Sequence, residues 1–165
     1  MSESRTVISL KEMDVDSPQV KIPPPVVFLG CIILGLVLDN LMPMFVVPRE
    51  QRGWWGVLFF VPGAFIIIWC VKKFKRAGTN IEPWKRATHL IMDGLYRYSR
   101  NPIYGGGILL LLGIGLGLNN LWICLTVVPF FMFLNGMIIP KEEKYLESKF
   151  RESYISYKRR VRRWI

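Results

Sequence analysis

Between Asn101 and Pro140 the chain carries no Asp, Glu, Lys, Arg or His. No other feature constrains its fold as strongly. The run is long enough for two passages through a bilayer and too apolar for a soluble domain of this size. It is bounded by polar clusters, Arg97-Tyr98-Ser99-Arg100 before it and Lys141-Glu142-Glu143 after it. A hairpin of two crossings brings both clusters out on one side of the membrane. A water-soluble ligand and a lipid-embedded one can meet at such a place.

Two further apolar runs precede the hairpin, from about Val26 to Met42 and from about Trp54 to Val71, the second containing Pro62. Prolines 23–25 force an extended approach to the first. The third crossing is expected over about Pro102–Leu118 and the fourth over about Leu121–Ile139, joined by the uncharged turn Asn119-Asn120. The expected fold is therefore an all-α membrane protein with about four transmembrane helices. Residues 1–21 mix Ser, Glu, Asp and Lys without periodicity and are expected to form a disordered cytoplasmic tail. Residues 22–165 make one membrane domain.

Charge sets the expected orientation. Of the 22 Lys and Arg residues, three lie in the tail, eight in residues 72–100 and nine in residues 141–165; only two lie in the loop after the first crossing. Four crossings place all but those two on one side, which the positive-inside bias makes the cytoplasm. Both termini are then cytoplasmic in a multi-pass protein. The formal net charge of +10 is accounted for by loops facing anionic lipid and calls for no nucleic-acid partner.

After the fourth crossing Leu146, Phe150, Tyr154, Tyr157, Val161 and Trp164 recur every three or four residues, with Lys149, Arg151, Lys158 and Arg160 off that line. The pattern predicts an amphipathic interfacial helix, lying on the headgroups or covering a site beside Glu142 and Glu143. Cys31, Cys70 and Cys124 lie in apolar runs without metal-ligand spacing and read as packing residues. The single histidine, His89, has no second ligand near it in the sequence, so no metal site is expected. Asp39, near the end of the first crossing, reads as a structural carboxylate. The glycines of the third crossing, among them Gly105, Gly106 and Gly107, suit either close helix packing or a groove for a ligand.

The order Ala77-Gly78-Thr79-Asn80, Gly94-x-Tyr96-Arg97-x-x-Arg100-Asn101-Pro102-x-Tyr104-x-Gly106, Glu142-Glu143 and Tyr154…Tyr157…Val161…Arg163-Trp164 resembles the isoprenylcysteine carboxyl methyltransferase family and the wider membrane phospholipid methyltransferases. The resemblance spans roughly residues 22–165. It implies a membrane enzyme that uses S-adenosylmethionine and a lipid-like or prenylated acceptor, such as an isoprenylcysteine-type carboxylate; the alternatives are a phospholipid-type N-methyltransferase or an S-methyltransferase of the same fold, or a non-catalytic membrane protein whose basic loops bind anionic lipid. Carried over by position, it implies cofactor binding by Arg100, Asn101, Pro102, Tyr104, Gly106, Glu142 and Glu143. Arg100, Tyr104 and Glu143 are the expected catalytic residues, and Arg97, Arg163 and Trp164 are expected at the acceptor. One position departs from the pattern. Asn101 stands where many carboxyl methyltransferases of the family have His, and Asn can exchange hydrogen bonds but cannot titrate.

Overall fold

The computed structural model describes residues 17–164, and all regular structure among them is helical. Helix α1 spans Pro24–Leu41 and α2 Arg52–Arg76; after a long connection with a 3-10 turn at Gly94–Arg97, α3 spans Pro102–Leu118. The remainder is a succession of helical pieces: α4 Leu121–Leu125, α5 Val127–Phe133, a π-helical turn Leu134–Ile138, and α6 Ile139–Arg160. Three helical stretches are long and apolar enough to cross a membrane: α1, α2, and the run from Leu121 to Arg160. The apolar part of that run precedes Lys141. Helix α3 is equally apolar but has 17 residues, about 25 Å at 1.5 Å per residue, slightly short of a full hydrocarbon core.

Helix starts follow the prolines, and α1 begins at Pro24, within the stretch 23–25 expected to be extended; of the three prolines only Pro23 keeps extended backbone. Pro24 and Pro102 each occupy the first turn of their helix, where a missing N–H costs nothing and the fixed φ is already helical. The fourth apolar segment is not the single helix its composition suggests. Pro129 offers no N–H to the carbonyl four residues back, and the segment breaks nearby at Thr126, whose hydroxyl turns back to donate to the Ile123 carbonyl at 2.6 Å. Pro140 likewise leaves the Gly136 carbonyl without its helical partner, and the π turn opens there.

The expected amphipathic helix is also corrected. It continues directly from the π turn and breaks at Arg151 (φ 43°, ψ −122°), then ends at Arg160, so Val161 and Trp164 lie beyond it. Of its line of apolar residues, Tyr154 and Tyr157 are buried against the rest of the protein, and Leu146 and Phe150 are half-buried.

Helices α2 and α3 pair most extensively, and glycine is the reason. A Cβ on Gly63 would lie 2.8 Å from the Gly106 carbonyl oxygen, and one on Gly56 would lie 2.6 Å from the Gly117 Cα. The two backbones therefore approach as only small residues permit. The packing alternative is thus the observed one for Gly106, while only Gly107 of that triplet faces the cavity described below. Cys31, Leu111, Ile123, Phe130, Leu134, Ile138 and Ile139 form the main core, and Val20 joins them. Val20 falls within the expected tail, of which residues 1–16 lie outside the described residues. Cys31 and Cys70 are buried and all three cysteines are free thiols.

The turn at Asn119-Asn120 holds one end of the bundle together. Asn119, with φ at 56°, accepts from the amides of Val46 and Val47 at 3.0 Å each and donates to the Val47 carbonyl at 2.9 Å. Asn120 caps α4 by accepting from the Ile123 amide at 2.9 Å. Asp39 accepts from the Met44 amide at 3.3 Å, a structural bond within the loop. The α1–α2 loop and this turn thus share one end, and residues 72–101 and 139–164 gather at the other.

Candidate active site at the polar end of the bundle

The site begins with the 3-10 turn. Gly94 has φ at 63°, and any Cβ there would run into the Trp69 ring, so only glycine lets the chain turn against α2. The turn buries Tyr96, whose carbonyl accepts from the Tyr157 hydroxyl at 2.7 Å. Three residues on, the Ser99–Asn101 segment receives the C-terminal strand of chain. The Arg100 amide donates to the Arg162 carbonyl at 3.0 Å, and Asn101 Nδ2 donates to the Arg163 carbonyl at 2.9 Å. Asn101 is therefore a buried clamp on the end of the chain.

Glu142 and Glu143 leave the first turn of α6 in different directions. Glu143 is 8% exposed at its side chain and belongs to an ionic cluster. Arg163 grips it with two bonds, Nε to Oε1 at 3.1 Å and Nη2 to Oε2 at 2.7 Å. Arg100 Nη1 lies 2.8 Å from Oε1, and Lys158 Nζ lies 3.8 Å from Oε2. Glu142 has a different partner, the Tyr104 hydroxyl, which donates to its Oε1 at 2.7 Å. Desolvation by burial raises the Glu142 carboxyl to about 7, opposed by the Tyr104 bond and assisted by the nearby charge of Glu143. This residue lies beyond the apolar part of its helical run.

A cavity of about 380 Å³ adjoins these groups. Its polar wall includes Asn80, Arg100, Asn101, Tyr104, Glu142 and Glu143, and Tyr96, Tyr145, Tyr154 and Tyr157 add an aromatic side. The cavity continues between α1 and α3 along Pro24, Phe28, Gly107, Leu110 and Phe130. Charged and apolar surfaces thus line one continuous space. The connection after α2 forms another wall through Ile81, Trp84 and His89. That connection is organised by Thr79, whose hydroxyl accepts from the Thr88 and His89 amides. Tyr145 ties it to α6 by accepting from the Ala87 amide at 3.1 Å.

Of the residues singled out from sequence, Arg100, Asn101, Tyr104, Glu142 and Glu143 come together at this cavity. Pro102 starts the helix that carries Tyr104 and is buried beside it. Gly106 faces α2. Arg97 is exposed and lines a separate surface depression with Asp93 and Arg160. Arg163 holds Glu143 from behind, and Trp164 packs on Phe131 with ring centroids 5.0 Å apart. Sequence reasoning passed over Asn135, which in the π turn accepts from both Arg163 Nη1 and Trp164 Nε1 at 3.3 Å. The local signal is Pro140, just after the π turn, and a proline does not identify which side chain the turn before it presents. Among the described residues no group of His, Cys, Asp or Glu side chains converges to hold a metal ion.

The helical bundle with its long apolar spans defines a multi-pass membrane protein whose one end carries a mixed polar and apolar cavity. A family profile for phospholipid methyltransferases matches residues 51–153, and the chain belongs to that family. It is 27% identical over 133 residues to protein-S-isoprenylcysteine O-methyltransferase B of Arabidopsis thaliana, covering 76% of this chain and 66% of that protein. It is also 45% identical over 58 residues to an uncharacterized protein of Haemophilus influenzae, covering 35% of this chain and 92% of that one. No solved structure matches the chain.

Proposed function

We propose that the protein is an S-adenosylmethionine-dependent methyltransferase that modifies a lipid-like acceptor at the cytoplasmic face of a membrane. The observation that carries this reading is the continuity of the cavity from its charged wall to its apolar groove. The residues present suit the cofactor. Arg100, ion-paired to Glu143 through Nη1, keeps a buried Nε without a hydrogen-bond partner, and its guanidinium at the cavity wall suits a carboxylate. Glu142 has acceptor capacity left for an ammonium or a ribose hydroxyl, and the tyrosine side suits an aromatic base.

When bound, the cofactor supplies an activated methyl group on a sulfonium sulfur. The protein contributes alignment, which converts an encounter between two ligands into a reaction within one complex. Arg100, Asn101 and Glu142 hold the polar end, while Phe28, Gly107, Leu110 and Phe130 admit an apolar tail from the bilayer side. Water is kept from the centre by Tyr96, Tyr154 and Tyr157. An isoprenylcysteine-type carboxylate acceptor is already ionised and gives up no proton. A second reading, an amine acceptor, is favoured by Glu142, because a carboxyl raised to about 7 by burial is a base suited to taking an ammonium proton near neutrality.

The test is isothermal titration of the detergent-purified chain with S-adenosylhomocysteine. Saturable binding that weakens by on the order of 2 kcal/mol in Glu142→Ala, the scale of a lost charge-assisted bond, is the expected result. No binding by the intact chain would remove the methyltransferase reading.

A further inference from the structure

Glu143 is one negative charge among three cations, and those cations do not share it equally. Arg163 takes both carboxylate oxygens in a fork, the arrangement that best satisfies a guanidinium and a carboxylate together. Lys158 stands 3.8 Å from Glu143 and is bonded to Glu147. Arg100 is left with a side-on approach. Its Nη1 is ion-paired with Oε1 at 2.8 Å outside hydrogen-bond geometry, Nε has no hydrogen-bond partner, and the Tyr154 hydroxyl is within reach of the guanidinium. The Arg100 side chain is only 10% exposed and lines the cavity. A buried guanidinium with unspent donors is costly unless something else supplies the acceptor.

Arg163 is itself held in place. Asn135 accepts from its Nη1, and its carbonyl is taken by Asn101 Nδ2 at 2.9 Å and by the Ser99 hydroxyl at 3.4 Å. Trp164 packs on Phe131 and donates to the same Asn135 oxygen. The last turn of chain is thereby fixed from the π turn on one side and from the Ser99–Asn101 segment on the other.

We infer that Arg163, set by Asn135, is a positioning residue that takes both oxygens of Glu143, so that Arg100, ion-paired to that carboxylate at one oxygen, keeps charge and donor capacity for an anionic oxygen group of a ligand in the cavity. Without Arg163, Glu143 would turn its full charge on Arg100 and close that subsite. The inference rests on the methyltransferase reading for the identity of the ligand, and not for the electrostatics. The anionic group is a carboxylate if it belongs to the cofactor and a phosphate if it belongs to the acceptor's head.

The experiment is a binding cycle on the full chain in detergent: intact protein, Arg163→Ala, Glu143→Gln and the double variant. The probes are S-adenosylhomocysteine, its analogue lacking the carboxylate, and a short-chain phosphatidic acid. Arg163→Ala is expected to weaken one anionic probe by about tenfold or more, the scale of a charge-assisted hydrogen bond, and Arg163→Lys by less. Adding Glu143→Gln is expected to recover most of that loss, because it releases Arg100. Loss for S-adenosylhomocysteine but not for its decarboxylated analogue assigns the subsite to the cofactor; loss for phosphatidic acid alone assigns it to the acceptor.

A merely structural Arg163 would weaken all three probes alike and would not be rescued by a second substitution. Either outcome overturns the inference, as does failure of the intact chain to bind any anionic probe. If Arg163→Ala does not fold, the same comparison is made with Arg163→Lys, alone and with Glu143→Gln. An intact chain that binds phosphatidic acid with rescue, but not S-adenosylhomocysteine, would uphold the subsite while removing the methyltransferase reading.

Discussion

Two adjacent glutamates show how far apart neighbours in sequence can be in chemistry. Glu143 is charged and enclosed by cations, whereas Glu142 faces a tyrosine hydroxyl and a cavity. The raised Glu142 carboxyl has a consequence for stability. A carboxyl with a higher pKa in the folded state than in the unfolded chain favours folding when protonated, and that contribution is lost as pH rises from about 4.5 through about 7. The unliganded protein is therefore expected to melt at a lower temperature at pH 8 than at pH 6 on account of this group, with the difference reduced in Glu142→Gln. A pH dependence unchanged by that substitution would show that Glu142 is ionised throughout. Asn119 makes a second case. Its three bonds and left-handed backbone predict a loss of about 2 kcal/mol in Asn119→Ala. Asn119→Gly should recover only the backbone part of that loss. Thermal unfolding in detergent separates the two.

At the scale of elements, the glycines of α3 divide by the face they occupy. A Cβ at Gly106 would come within 3.0 Å of the Gly63 carbonyl and 2.9 Å of Ile67 Cγ1, while one at Gly105 would meet nothing within 4 Å. Gly106→Val is thus expected to cost about 1–3 kcal/mol through overpacking. Gly105→Ala should be neutral or mildly stabilising, since it removes a flexible residue from a helix. Comparable losses at both positions would contradict the α2–α3 pairing. Their spacing in sequence is compatible with packing or with a groove, because periodicity identifies a face but not its neighbour. The same limit applies to the last helix. The recurrence of Tyr154 and Tyr157 with Leu146 and Phe150 marks one apolar side, and across the break at Arg151 Leu146, Tyr154 and Tyr157 of that side line the cavity.

The whole molecule sorts its loops between two ends. Asn119 binds the α1–α2 loop at one end, and the 3-10 turn, Glu143 and the C-terminal chain meet at the other. With basic residues concentrated at the second end, reporter fusions at Asn120 and at the C-terminus are expected on opposite sides of the membrane; placement on the same side would break the four-crossing arrangement. The apolar groove makes a functional prediction at this scale. Affinity for acceptors in a homologous series should rise with tail length, by up to about 0.8 kcal/mol per buried methylene until the groove is filled. Equal turnover of a short soluble acceptor and its long-chain analogue would place the substrate outside the groove.

The amino-acid sequence by itself determined the helical class, the apolar segments, the proline start of α3, and the grouping of the two polar clusters that flank the uncharged run. Those properties follow from local length, hydropathy and charge, which each segment carries wherever it is placed. Its charge pattern singled out Arg100, Glu142 and Glu143 at the two ends of the uncharged run, and the family resemblance added Asn101 and Tyr104. Only the tertiary structure decided that Glu143 is held by Arg163 and Glu142 by Tyr104, and that Asn135 fixes the end of the chain. These pairings join residues 20 to 38 positions apart. They depend on the rotation at the π turn and on how the helical segments pack against one another. A few tens of degrees there change which side chain faces a charge, and no local pattern encodes that angle.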